Sequence, residues 1–141
     1  MKCALFDLIA TGTIGGVTTG STPADVRARF GEPDDESIQR EPRIWKYGAF
    51  EVTFRSGIVE LLVVELFQDL PKFIGADGLS AATTRAEVER LLRGRGIAYQ
   101  PYPPLTAEHD QSALKTGTGG AVVIFDEDAR INSISVIDRL R

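Results

Sequence analysis

Cysteine, histidine, tryptophan and methionine each occur once among the 141 residues, so the side chains that carry most covalent, metal and redox chemistry are nearly missing. Cys3 has no second cysteine to pair with, which excludes an internal disulfide and a cysteine-built zinc cluster. That usage fits a reducing compartment. His109 stands alone, and a nitrogen-built metal site needs more ligands than one imidazole. An excess of positive charge is missing too. With 16 basic and 20 acidic residues the net charge is −4, and no basic stripe appears, so nucleic acid is not an expected partner.

Long apolar runs are also lacking. The uncharged stretch from Leu8 to Thr22 is broken by Gly12, Gly15, Gly16 and Gly20, and a membrane helix needs about 20 mostly apolar residues. Asp7 interrupts the apolar start where a secretory leader would carry its greasy centre. The expectation is a cytoplasmic protein with no membrane partner. What is present is ordinary for a globular domain: 43% hydrophobic and 26% charged residues. A chain of this size buries roughly 70% of its unfolded surface and folds without staples.

Organisation begins at Thr22. Thr22-Pro23-Ala24-Asp25-Val26 reads as a capped helix start, with proline at the first helical position and an acid at the positive end of the dipole. Val26 and Phe30 form its apolar seam, Gly31 stops it and Pro33 forbids its return. Asp34 to Arg43 is polar and reads as a loop. Arg43 to Tyr47 alternates as a strand. Phe50, Val52 and Phe54 face one way and Glu51, Thr53 and Arg55 the other, the mark of a strand with one dry face. Ile58 to Phe67 is a strand apolar on both faces. Strict alternation assigns Val59, Leu61 and Val63 to the helix side, and Ile58, Leu62, Val64 and Leu66 to the open side.

The pattern then starts again. Gln68 to Ser80 is a connector, and Thr83 or Thr84 caps a second helix with Glu87 in its first turn and Val88, Leu91 and Leu92 on one face. Ile97 to Tyr102 reads as a short edge strand, because Pro101, Pro103 and Pro104 break its ladder. Gln111 to Lys115, Ala121 to Phe125 and Ile131 to Ile137 complete a second meander. Residues 1–20 are a lead-in, with Leu5, Leu8 and Ile9 on one side of a helical turn and a short edge strand from Ile14 to Val17. Residues 21–70 are the first repeat, and 71–141 the connector and second repeat. The expected fold is α+β: two tandem α-β-β-β(-β) repeats forming one curved antiparallel sheet with helices on one face.

A capped Thr-x-x-Asp/Glu-Val helix closed by Gly-x-Pro, then Trp45-x-Tyr47-Gly48 and Phe50-x-Val52-x-Phe54, resembles a known group. It is similar to the helix-then-meander modules of the barrel-assembly lipoproteins of the SmpA/OmlA type, and to the tandem version in the beta-lactamase inhibitor protein family. The likeness covers residues 20–67 well and 80–138 loosely. It implies a continuous sheet and a role in binding other proteins. The secreted tandem inhibitors carry a disulfide in each half, and this chain has no cysteine pair.

Catalytic constellations are hard to assemble. His109, between Glu108 and Asp110, is a conceivable base, because adjacent carboxylates raise imidazole basicity. In a charged loop after prolines, an exposed structural histidine is the simpler reading. Asp34-Asp35-Glu36 and Asp126-Glu127-Asp128 lack the twelve-residue calcium loop pattern. Thr116-Gly117-Thr118-Gly119-Gly120 precedes a strand, whereas a phosphate loop runs into a helix. No cofactor and no catalytic residue is expected.

Interface candidates are Trp45, Tyr47, Tyr99 and Tyr102, which combine large area with a polar handle. Leu62 and Val64 join them on the expected open face, with Glu60, and so do Asp34, Asp35 and His109 on rim loops. The leading expectation is a non-enzymatic binding module of inhibitor or immunity type, meeting a toxin or enzyme with a basic surface. Two alternatives stand beside it: a small-molecule or hydrolytic pocket near Trp45, Tyr47 and His109, and a homodimer pairing through Leu62, Val64 and Leu66.

Overall fold

Two threonines open the two halves. Thr22 Oγ1 accepts from the Asp25 amide at 3.2 Å while the Thr22 amide donates to Asp25 Oδ2 at 3.0 Å. Thr84 makes the same reciprocal pair with Glu87, at 3.3 and 3.0 Å. Each box satisfies amides that have no partner inside the helix. The computed structural model describes residues 2–102, 112–117 and 120–137. Along them run β1 (Cys3–Ala4), α1 (Leu5–Thr11), α2 (Pro23–Phe30), β2 (Asp35–Glu36), β3 (Arg43–Tyr47), β4 (Phe50–Arg55), β5 (Ile58–Glu65) and β6 (Ile74–Gly75). Then come α3 (Arg85–Gly94), β7 (Tyr99–Pro101), β8 (Ser112–Thr116), β9 (Val122–Phe125) and β10 (Ile131–Ile137).

The fold is α+β. Eight strands form one antiparallel sheet in the order β2-β3-β4-β5-β10-β9-β8-β7, and β1 and β6 form a small parallel pair. Each half contributes four strands, and the halves join where β5 meets β10. The three described helices lie on the same side. Tyr47 donates its hydroxyl to the carbonyl of Gly31 at the end of α2, at 2.8 Å. Arg85 of α3 lies over the Phe125 ring at 5.9 Å. Thr116 donates to the Ile9 carbonyl of α1 at 2.9 Å. Leu5, Leu8, Ile9, Val26, Val88 and Leu92 from the helices share one core with the inward residues of both halves of the sheet.

Both halves carry a β-bulge at the same place. In the first, Phe54 faces Val59 and Thr53 faces Leu61, so Glu60 is the extra residue. In the second, Phe125 faces Ile131 and Ile124 faces Ser133, so Asn132 is the extra residue. An extra residue reverses which side chains point inward beyond it. Strict alternation along β5 is therefore corrected. Val59, Leu62, Val64 and Leu66 are buried, and Leu61 and Val63 lie on the opposite face. Val59 corresponds to Ile131, Leu62 to Ile134 and Val64 to Val136. On that correspondence the Leu61–Ile137 pair exchanges with the Ser133–Glu65 pair, so a pseudo-two-fold axis passes through the Val63–Ser135 pair.

Other differences are local. Residues 34–43 contain β2, a two-residue edge strand pairing with Lys46 and Trp45. Ile14 and Val17 bridge only each other, so this is a tight turn through two glycines and not an edge of the sheet. The lead-in belongs to the core, since Leu5, Leu8, Ile9 and Ile14 are fully buried.

Candidate functional site: the uncovered sheet face

Reading across the strands gives the outer face row by row. Ile44, Thr53, Leu61 and Ile137 form one row. Lys46, Glu51, Val63, Ser135, Val122 and Lys115 form the next. Glu65, Ser133, Ile124 and Ala113 form a third. Ile44, Leu61, Val63 and Ile124 are half-buried and Ile137 is 45% exposed, whereas Val122 and Ala113 toward the β8 end are buried, so the open part of the face is centred on β3, β4, β5 and β10. None of these side chains belongs to the core cluster, and no described helix lies over them. Apolar side chains thus alternate with serine and threonine on a surface framed by Lys46 and Lys115.

One electrostatic feature stands on this face. Glu51 lies diagonally across from Glu65, because Glu51 pairs with Val63 two residues earlier. The hydrogen bond with Glu65 holds the Glu51 carboxyl above its ordinary range, with partial burial and the Glu65 charge adding and Lys46 opposing. Like charges this close favour keeping a proton between them. Gln68 Nε2 donates to Glu65 Oε2 at 3.4 Å on the outer side of the pair.

The expected site residues divide sharply. Trp45, at 0% exposure, and Tyr47, at 2%, are core residues and not surface anchors. The guanidiniums of Arg27 and Arg43 lie 4.8 and 4.9 Å from the Trp45 ring centroid and shield it from solvent. Trp45 Nε1 is the one buried side-chain polar atom without a hydrogen-bond partner among the described residues. Burial pushes the Tyr47 phenol up to about 12, with the Arg27 charge opposing and Glu32 and Asp34 adding. Leu62 and Val64 are both fully buried, a correction that follows from the bulge at Glu60. A dimer surface of Leu62, Val64 and Leu66 is excluded for the same reason.

Glu60 is half-buried and accepts from Arg55 Nε at 3.0 Å. Asp34 and Asp35 are exposed, but Asp34 is engaged: its Oδ2 accepts from the Gly48 amide at 2.9 Å. That contact closes the β3–β4 turn at a glycine with φ of 60°, where an added Cβ would come within 2.8 Å of the Asp69 carbonyl oxygen. Tyr99 is tied to α3, its hydroxyl donating to Glu89 at 3.1 Å and accepting from Arg93 at 2.8 Å. Tyr102 is half-buried, and its amide donates to the Ala113 carbonyl at 2.9 Å. His109 lies outside the described residues, as do all of residues 103–111.

The pocket alternative rests in part on His109, which lies outside the described residues, and Trp45 is sealed in the core. The cleft beside Tyr47, about 480 Å³, is walled by Phe30, Glu32, Asp34, Leu70, Lys72 and Phe73, without Trp45. Among the described residues no three acidic, histidine or cysteine side chains are grouped to hold a metal. No described helix is long and apolar enough to cross a membrane. Leu61, Val63 and Glu65 are the face residues that strict alternation along β5 misplaces, and Ile44, Glu51 and Ile137 are face residues that the sequence reading does not single out. The usable signal is in the second half, where Ile131, Ile134 and Val136 are spaced three then two, the trace of a bulge. Comparison with protein-family models, curated proteins and solved structures finds no match to this chain.

Proposed function

We propose that this chain is a non-enzymatic protein-binding module whose contact surface is the uncovered sheet face and its adjoining loops. One observation carries the reading: the row Ile44, Thr53, Leu61 and Ile137 continues across both halves with nothing described covering it, while every described helix packs on the other side. The resemblance of residues 20–67 to inhibitor-type and barrel-assembly modules points the same way. So does an acidic net charge of −4, which favours a basic partner and fast encounter. Inhibitor or immunity action is the specific form proposed, in the cytoplasm, where a lone buried thiol such as Cys3 stays reduced.

Magnitudes limit what the face does alone. Covering the exposed parts of Leu61, Val63, Ile124 and Ile137 contributes about 3–6 kcal/mol. Association costs at least about 4 kcal/mol. The face therefore needs further anchors from its rim. To test the reading, a benzophenone amino acid replaces Val63 and the chain is irradiated in native extract. A discrete protein adduct that disappears in the Leu61→Arg variant is expected. Irradiation that yields no protein adduct at any salt concentration overturns the proposal.

A further inference from the structure

Where β4 meets β5, the apolar and hydroxyl rows of the outer face give way to two glutamates. Glu51 lies opposite Val63, which puts it on the diagonal from Glu65 of the neighbouring strand. Like charges in such cross-strand positions destabilise a sheet. Both residues are half-buried, where salt and water screen them less than on an open surface.

The surroundings of the pair are defined strand by strand. On β3, Lys46 lies directly opposite Glu51, and on β2 Asp35 lies beyond Lys46 in the same row. On β10 the uncharged Ser133 lies opposite Glu65. After β5, Gln68 Nε2 donates to Glu65 Oε2 at 3.4 Å. The described helices contribute no group, since they pack on the other side. One ammonium thus serves three carboxylates, too little to keep Glu51 and Glu65 both ionised without cost. The two carboxyls are hydrogen-bonded to each other. Ionised carboxylates only accept, so that bond exists only with a proton between them. While the proton is held, the pair carries one negative charge and ties β4 to β5. Once it leaves, the pair carries two charges and the tie becomes a repulsion.

We propose that the Glu51–Glu65 pair is a proton switch of the uncovered face: protonated it presents one negative charge and deprotonated it presents two, so that a basic protein is taken up as pH rises and released in acid. This rests on the protein-binding reading above and adds its regulation. The partner's matching group is an ammonium or guanidinium, which takes the place of the lost proton between the carboxylates and relieves their repulsion.

The first tests need only the chain. Carbon-13 titration of the side-chain carboxyls is expected to place Glu51 above the ordinary glutamate range. Glu65→Gln is expected to bring it back toward that range, and Lys46→Met to carry it higher. A carboxyl that holds its proton more firmly when folded contributes stability that is lost as pH rises through its folded titration. Glu51→Gln never ionises, so in urea unfolding it is expected to gain on wild type as pH rises above the ordinary value of 4.5.

The second test lets unlabelled chain compete for the adduct that benzophenone at position 63 forms. Above the Glu51 titration, the Glu51→Gln chain is expected to need about two- to fivefold more competitor than wild type, the scale of one exposed charge pair. Below it the two are expected to compete equally, because each then presents one negative charge. Glu51 titrating in the ordinary range, or unmoved by Glu65→Gln, overturns the switch and leaves the face standing. A competition ratio that is the same on both sides of the titration overturns it as well. No adduct at any pH overturns both the face and the regulation built on it.

Discussion

Leu61 and Leu62 are neighbours in the chain with opposite surroundings. Leu62 is sealed beneath the helices, and Leu61 faces outward between Thr53 and Ile137. Truncating Leu62 to alanine leaves a cavity in a packed core and is expected to cost about 2–5 kcal/mol. Leu61→Ala is expected to cost less than about 1 kcal/mol, since most of its surface loss is on the outside. Urea unfolding of the two variants checks this, and similar costs would mean that Glu60 is not an extra residue. The same pair shows how far the sequence carries. Phe50, Val52 and Phe54 are correctly placed by alternation, because β4 is regular. β5 misleads because a bulge is a property of two paired strands, and each leucine looks equally apolar in isolation. Trp45 and Tyr47 are ambiguous for a related reason: aromatic side chains suit interfaces and cores alike, and only the neighbouring Arg27, Arg43 and Phe30 decide.

The helices are the most legible elements. Thr-x-x-Asp and Thr-x-x-Glu mark both starts, and each becomes a complete capping box. Two-residue pairings such as β1 with β6 leave no periodicity to read in the sequence. α2 buries only Val26 fully, whereas α3 buries Val88 and Leu92. α2 therefore leans more on its cap and on Phe30, which stacks on Phe73 with ring centroids 4.6 Å apart. Thr22→Ala and Thr84→Ala are each expected to destabilise the protein by about 1 kcal/mol, measured by thermal unfolding at neutral pH. The pH dependence has a definite sign. Backbone and side-chain hydrogen bonds from Thr22 and Thr84 hold Asp25 and Glu87 below their ordinary values. A lowered carboxylate contributes stability that is present above its unfolded pKa and lost as pH falls through the folded one. Removing the threonines removes part of that difference. The two variants are expected to approach the wild-type stability as pH falls from 6 toward the acid limit, and a gap that stays constant would contradict the assignment.

At the scale of the molecule, two similar halves meet back to back at β5 and β10, and the decisive question is whether they behave as one body. Each half repeats the same sequence of devices. A capped helix is followed by a meander with a bulge, and the residue before the capping threonine is bonded to the residue before the bulge: Val59 donates to the Ser21 carbonyl at 2.8 Å and Ile131 to the Thr83 carbonyl at 2.9 Å. Repetition of this kind allows independent folding in principle. Here neither half closes its own core. The β5–β10 ladder joins five residue pairs, Leu62 against Val136 and Val64 against Ile134 lie under the helices, and α1 from the start of the chain reaches Thr116 in the second half. Separating the halves would expose those side chains and an inward sheet edge together, so partial unfolding along this seam is disfavoured. Thermal unfolding is expected to be a single cooperative transition. Trp45 fluorescence reports only the first half and far-UV circular dichroism reports both, so the two are expected to give coincident midpoints, with calorimetric and van't Hoff enthalpies equal. Ser135→Pro, which removes an amide from the central strand at the pseudo-axis, is expected to lower both midpoints together. If Trp45 melted at its wild-type temperature while half of the dichroism signal was lost earlier, the halves would be separate modules and a face shared between them would not be held in one shape.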